Sequence, residues 1–180
     1  MAITRLGGAN AITGTLPAAN INDTSISNIT ALPAGVGGKV LQVVQGTTST
    51  ETQTQSQTFV TTNISVSITP SSTSNKVLVF SSICIDSPGS ANNADNMSVA
   101  LFRDSTSIFV PNADARLGIA ATSVDPEITD IYPISYQDSP SSTSAISYNI
   151  RIRTRDGGVI TLNDDGGSSS IIAMEIAGWL

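Results

Sequence analysis

Ala145-Ile-Ser-Tyr-Asn-Ile-Arg-Ile-Arg-Thr154 decides the class of fold. Ile146, Tyr148, Ile150 and Ile152 fall on one side, and Ser147, Asn149, Arg151 and Arg153 on the other. That is the period-two pattern of a half-buried strand. Asn63 to Thr69 repeats it, with Ile64, Val66 and Ile68 opposite Ser65, Ser67 and Thr69.

Weaker versions of the signal predict further strands at Lys39 to Gln45, Lys76 to Asp86, Met97 to Arg103, Ser107 to Val110, Thr129 to Gln137, Val159 to Asn163 and Ser170 to Leu180. Turn-forming clusters separate them, at Pro70 to Asn75, Ser87 to Asn96, Asn112 to Ala115, Asp138 to Ser144, Asp156 to Gly158 and Asp164 to Ser169. No stretch keeps an apolar i, i+3, i+4, i+7 pattern through three helical turns. The expected fold is all-β, a jelly-roll-like β-sandwich over residues 39–180. Its last strand is expected to run to the final residue, with Ile172, Met174 and Ile176 on one face.

Residues 1–38 read differently. They hold two charged side chains, Arg5 and Asp23, and are broken by Pro17 and Pro33. They are too interrupted to form a core of their own, yet Ile3, Leu6, Ile12, Leu16, Ile21, Ile26 and Ile29 need burial. The expectation is an extended N-terminal arm that docks and oligomerises against other chains, joined to the sandwich by the glycines of Gly35-Val-Gly-Gly38. Leu-Pro-Ala occurs at Leu16 to Ala18 and again at Leu32 to Ala34, as expected of a unit that hides its apolar side by stacking on copies.

Composition excludes several functions. Charged residues are 12% of the 180, and Ser and Thr together make up roughly a quarter, so hydroxyls keep the surface wet. A net charge of −6 and two lysines, Lys39 and Lys76, argue against nucleic acid, whose phosphates require clustered cations. No window approaches the roughly 20 apolar residues of a membrane helix, so no membrane insertion is expected. The N-terminus lacks the basic and apolar regions of a secretory signal, so release is expected by cell lysis.

Catalytic equipment is equally sparse. The chain has no histidine, which removes Ser-His-Asp and Cys-His catalysis and imidazole zinc sites. Cys84 lies inside the apolar run Val77 to Ile85 and reads as a small buried hydrophobe. Gly35-Val-Gly-Gly-Lys39 lacks the spacing of a phosphate loop, and Asp164-Asp165-Gly166-Gly167 lacks the distal glutamate of a calcium loop. Glycoside hydrolysis needs only two carboxylates, but Glu51, Glu127 and Glu175 are far apart and no pair stands out. The expectation is a chain without enzymatic activity, cofactor or metal.

Arg151, Arg153 and Arg155 are the one concentration of positive charge and project from one face of a strand. They read either as a solvated or inter-subunit face balanced by acids, or as a patch for anionic host surface glycan.

Several runs carry a resemblance: Met1-Ala-Ile-Thr-Arg-Leu-Gly-Gly-Ala-Asn10, Gly38-Lys-Val-Leu-Gln-Val-Val44, Val66-Ser-Ile-Thr-Pro-Ser-Ser-Thr-Ser-Asn-Lys-Val-Leu-Val79, Leu101-Phe-Arg-Asp-Ser105, Asp138-Ser-Pro-Ser-Ser-Thr-Ser144 and Met174-Glu-Ile-Ala-Gly178. Together they resemble tail-fibre-like virion structural proteins of marine bacteriophages, the cyanophages, over nearly the whole chain. The resemblance implies a homotrimer with a C-terminal β knob for host adsorption. Its arm would dock on other virion proteins of tail or capsid, after assembly in the host cytoplasm. It carries over no binding residue. The shaft here is at most the 38-residue arm, which leaves a short fibre, a capsid decoration protein and a glycan-binding lectin as alternatives.

Overall fold

The computed structural model describes residues 40–88, 97–111, 127–155 and 157–178. The chain divides between Gly38 and Lys39, and the described residues belong to the second unit. The arm and its residues Ile3, Leu6, Ile12, Leu16, Ile21, Ile26 and Ile29 lie outside them.

The described residues form ten strands: β1 (Val40–Thr48), β2 (Thr52–Thr54), β3 (Val60–Ile68), β4 (Lys76–Pro88), β5 (Met97–Arg103), β6 (Thr106–Phe109), β7 (Glu127–Asp138), β8 (Ile146–Thr154), β9 (Ile160–Leu162) and β10 (Ser169–Ile176). Nine answer to predicted strands. The exception, β2, has the sequence Thr-Gln-Thr and lies in a polar stretch with no apolar alternation to reveal it. It exists because its backbone pairs with β9, Thr52 opposite Leu162 and Thr54 opposite Ile160.

Pairing is nested. β5 and β6 form a hairpin, β4 pairs with β7 outside it, β3 with β8 outside that, and β1 with β10 outermost, all antiparallel. The chain is therefore one long antiparallel ribbon. When it rolls up, β10 meets β4 and β8 meets β5, giving two sheets. One runs β1-β10-β4-β9-β2, with β7 also paired along β4; the other runs β3-β8-β5-β6. This is a jelly roll, as the alternating strands predict.

Between the sheets, the inward residues of β3 and β8 meet those of β4 and β10. Ile64, Ile68, Val77, Val79, Ile83, Ile150, Ile152, Ile171 and Ala173 are among the buried core. Gly46 closes one side, where β1 crosses β3. A methyl group on Gly46 would stand 2.0 Å from the carbonyl oxygen of Ser65, so only glycine lets the two backbones come this close. Just before β10, Asp164–Gly166 make a 3-10 turn, entered by Asn163 at φ 57°. Gly167 after it lies against Cys84, where a β-carbon would be 2.6 Å from the sulfur. Cys84 is buried under this turn.

The final strand departs from expectation. It ends at Ile176, and Trp179 and Leu180 lie outside the described residues. Its core face is Ile171, Ala173 and Glu175, while Ile172, Met174 and Ile176 lie half-exposed on the other side. Both faces look apolar in the sequence, and pairing with β4 turns the one with the glutamate inward.

Candidate interaction face and buried polar clusters

The outward side of the β1-β10-β4-β7 sheet follows from strand register. Val43, Met174, Leu78 and Gln137 stand in one row across the four strands, and Gln45, Ile172, Phe80 and Ser135 in the next. A third row, Thr47, Ser170, Ser82 and Pro133, replaces the large apolar groups with hydroxyls. Val43 is 56% exposed, Phe80 41% and, further along β7, Ile131 51%. No charged residue occurs in the three rows, and Lys76, bonded through Nζ to Ser139, stands just past them. Isolated exposed apolar residues are ordinary, but neighbouring ones on an uncharged sheet face are what interaction surfaces present.

At the hydroxyl end of this face lies an open cleft of about 580 Å³, lined by Thr47, Thr48, Ser49, Ser82, Ser168, Ser169 and Ser170. It offers hydrogen-bonding groups without a carboxylate, cation or aromatic ring.

The arginines lie on the opposite sheet. Arg151 and Arg153 project outward from β8, as the alternation requires, whereas Arg155 lies past its end and is exposed. The Arg151 guanidinium stacks 4.2 Å over the ring of Phe102, and that of Arg153 4.9 Å over Phe59. The two rings meet edge to face at 5.7 Å. Arg151 also donates from Nε to Asn149 and from Nη2 to the carbonyl of Asp104, in the β5–β6 turn. These two cations thus roof an aromatic pair, an arrangement favoured by the negative face of the rings. Sequence spacing found the arginines but not their floor, since Phe59 and Phe102 are brought to them by β3–β8 and β5–β8 pairing.

Two carboxylates are buried at one end of the sandwich, where a single inward row runs from Glu175 through Val77 to Asp138. Glu175 is 1% exposed. It accepts hydrogen bonds from the Ser71 backbone amide (2.6 Å) and hydroxyl (2.8 Å), Asn75 Nδ2 (2.5 Å) and Gln42 Nε2 (2.6 Å). Burial alone would raise its pKa, but these donors outweigh burial and hold it below the ordinary carboxylate range. Asn75 in turn accepts from the amide of Gly178, which ties the chain after β10 to the β3–β4 loop.

Asp138 receives both oxygen contacts from Arg103 Nη1, at 2.9 and 3.1 Å, and a 2.7 Å bond from the hydroxyl of fully buried Tyr148. Burial, reinforced by that bond to a carboxylate, pushes the tyrosine pKa far up. Asp138 belongs to one sheet and its two donors to the other, so the cluster bolts the sheets together. Tyr148→Phe is expected to lower unfolding free energy by about 2 kcal/mol, because it leaves a buried carboxylate short of one donor. Urea titration at neutral pH measures it, and a loss below about 0.5 kcal/mol would remove the bolt's importance.

No known protein family and no curated protein matches the sequence. Among solved structures, the chain is similar to the VP2 subviral particle of infectious bursal disease virus, at 15% identity over 76% of this chain and 38% of that one, with a TM-score of 0.41. The Gx strain of the same virus gives 14% identity over 77% and 37%, with a TM-score of 0.38. Dimeric latent PorU from Porphyromonas gingivalis gives 10% identity over 79% and 14%, with a TM-score of 0.29. The chain thus spans well under half the length of each of these proteins.

Proposed function

We propose that the chain is a structural component of a bacteriophage particle. In this reading it is a short trimeric tail fibre or fibre-like appendage that docks through residues 1–38 and presents its jelly roll for host adsorption. The observation that carries the reading is the uncharged apolar face on the outside of the β1-β10-β4-β7 sheet, a surface made for assembly. The resemblance of its sequence runs to cyanophage fibre proteins supports the setting. The role is one of binding and architecture, without enzymatic turnover.

A glycan-binding role through Arg151, Arg153 and Arg155 is the weaker alternative. Arg151 already directs Nε to Asn149, Nη2 to the carbonyl of Asp104, and its plane to Phe102. Antibody raised against the chain is expected to label the tails of particles purified from a lysate. Label on the head shell would make it a capsid decoration protein, and particles without label would overturn the virion reading.

A further inference from the structure

The outer face of the β1-β10-β4-β7 sheet is, we infer, where copies of this chain meet one another, turned inward on the rotation axis of the assembly with Phe80 nearest that axis. The inference deepens the virion reading and rests on it for the setting only.

Three observations select another copy as the occupant. The first is charge. Residues on a rotation axis face their own copies, so any charge there would oppose its like. The chain carries a net charge of −6, yet the rows through Val43, Phe80 and Ser82 carry no charge at all. A partner of opposite charge would find nothing here to recognise, whereas an identical face finds nothing to repel it.

The second is shape and size. Four adjacent strands spaced about 4.8 Å, with the three uncharged rows spanning five residues at about 3.4 Å each, make a face of roughly 19 by 17 Å. Two such faces together cover about 650 Å², and exposed Ile131 on β7 extends the patch toward the roughly 1,000 Å² that a specific interface needs. Sheets pack face to face about 10 Å apart, which suits protruding groups such as Phe80, Val43 and Ile131.

The third is the graded chemistry of the face. Large apolar side chains at Leu78, Phe80, Ile172 and Met174 give way to the Ser and Thr of the adjoining cleft. An apolar patch bordered at one end by uncharged hydrogen-bonding groups fits the apolar core and polar border of a contact between proteins. A glycan would call for aromatic platforms or carboxylates, which the cleft lacks.

The test uses the full-length chain. Size-exclusion chromatography with light scattering should give a small multiple of the chain mass at micromolar concentration. Phe80→Glu combined with Val43→Glu should give the single-chain mass, with far-ultraviolet circular dichroism unchanged. A single-chain mass for the unsubstituted protein, or an unchanged multiple for the variant, would overturn the inference.

If the double variant fails to fold, a photo-crosslinker in place of Phe80 decides. Cross-links to β1, β4, β7 or β10 of another copy support the inference; cross-links to residues 1–38, or none between copies, overturn it. Both readouts use purified protein, so they stand apart from particle labelling. A labelled particle with a monomeric chain sinks this interface and the trimer but leaves the particle setting, and an unlabelled particle with an intact oligomer sinks the virion reading alone.

Discussion

Glu175→Ala is expected to cost about 3–5 kcal/mol of unfolding free energy, a large part of the 5–15 kcal/mol that a domain has in total. The carboxylate is the common acceptor for donors from two places, Gln42 on β1 and Ser71 and Asn75 in the β3–β4 loop. Its removal takes the acceptor from the Ser71 amide and leaves buried Asn75 Nδ2 only its 3.1 Å bond to the Ser71 hydroxyl. Glu175→Gln keeps the volume but turns an amide NH2 toward donors, so it is expected to lose nearly as much. Urea unfolding at pH 7 measures both.

Acid supplies an independent check. The folded-state pKa of Glu175 is lowered, so its contribution is fully present above the unfolded value near 4.3 and is lost as pH falls through the folded value. The urea midpoint of the unsubstituted protein should therefore fall on acidification below about pH 5, and the Glu175→Gln profile should be flatter. Parallel profiles for the two proteins would mean that this carboxylate does not govern acid stability.

Gly46→Ala is expected to be the second severe substitution, at about 3 kcal/mol or more. The added methyl would sit 2.0 Å from the Ser65 carbonyl oxygen, and that obstacle is backbone, which cannot rotate aside. Relief requires β1 and β3 to separate where the sandwich closes. Gly157→Ala is the control: its φ of 86° strains any other residue, but nothing lies within 4 Å of the new methyl. It should lose only about 1 kcal/mol. Thermal melts of the two variants side by side would separate crowding from backbone strain, and equal losses would deny the close approach its role.

The strands were legible where one face is greasy and the other polar. In β8, Ile146, Tyr148, Ile150 and Ile152 are all buried, as their alternation requires. In β10 and β4 the same rule could not choose a side, because Ile171 and Ala173 alternate with Ile172 and Met174, and Val77 and Val79 with Leu78 and Phe80. Apolar residues on both sides have two separate causes: one face fills the core, and the other is bare sheet. Glu175 concealed the difference further, because a glutamate ordinarily marks the wet side of a strand.

The sequence by itself determined that the chain is a β-sandwich of the jelly-roll kind, that its charge is sparse and that it holds no histidine chemistry. These are consequences of composition and of a period of two, both local properties. Only the tertiary structure decided which face of β10 is inside, that Glu175 is an anchor, that Arg151 and Arg153 cover Phe102 and Phe59, and that an uncharged apolar face is left outside. Each depends on partners scores of residues away in the chain, such as Gln42 and Asn75 for Glu175. Alternation records that a side chain turns to one face or the other, while strand pairing across the rolled ribbon settles what it meets there.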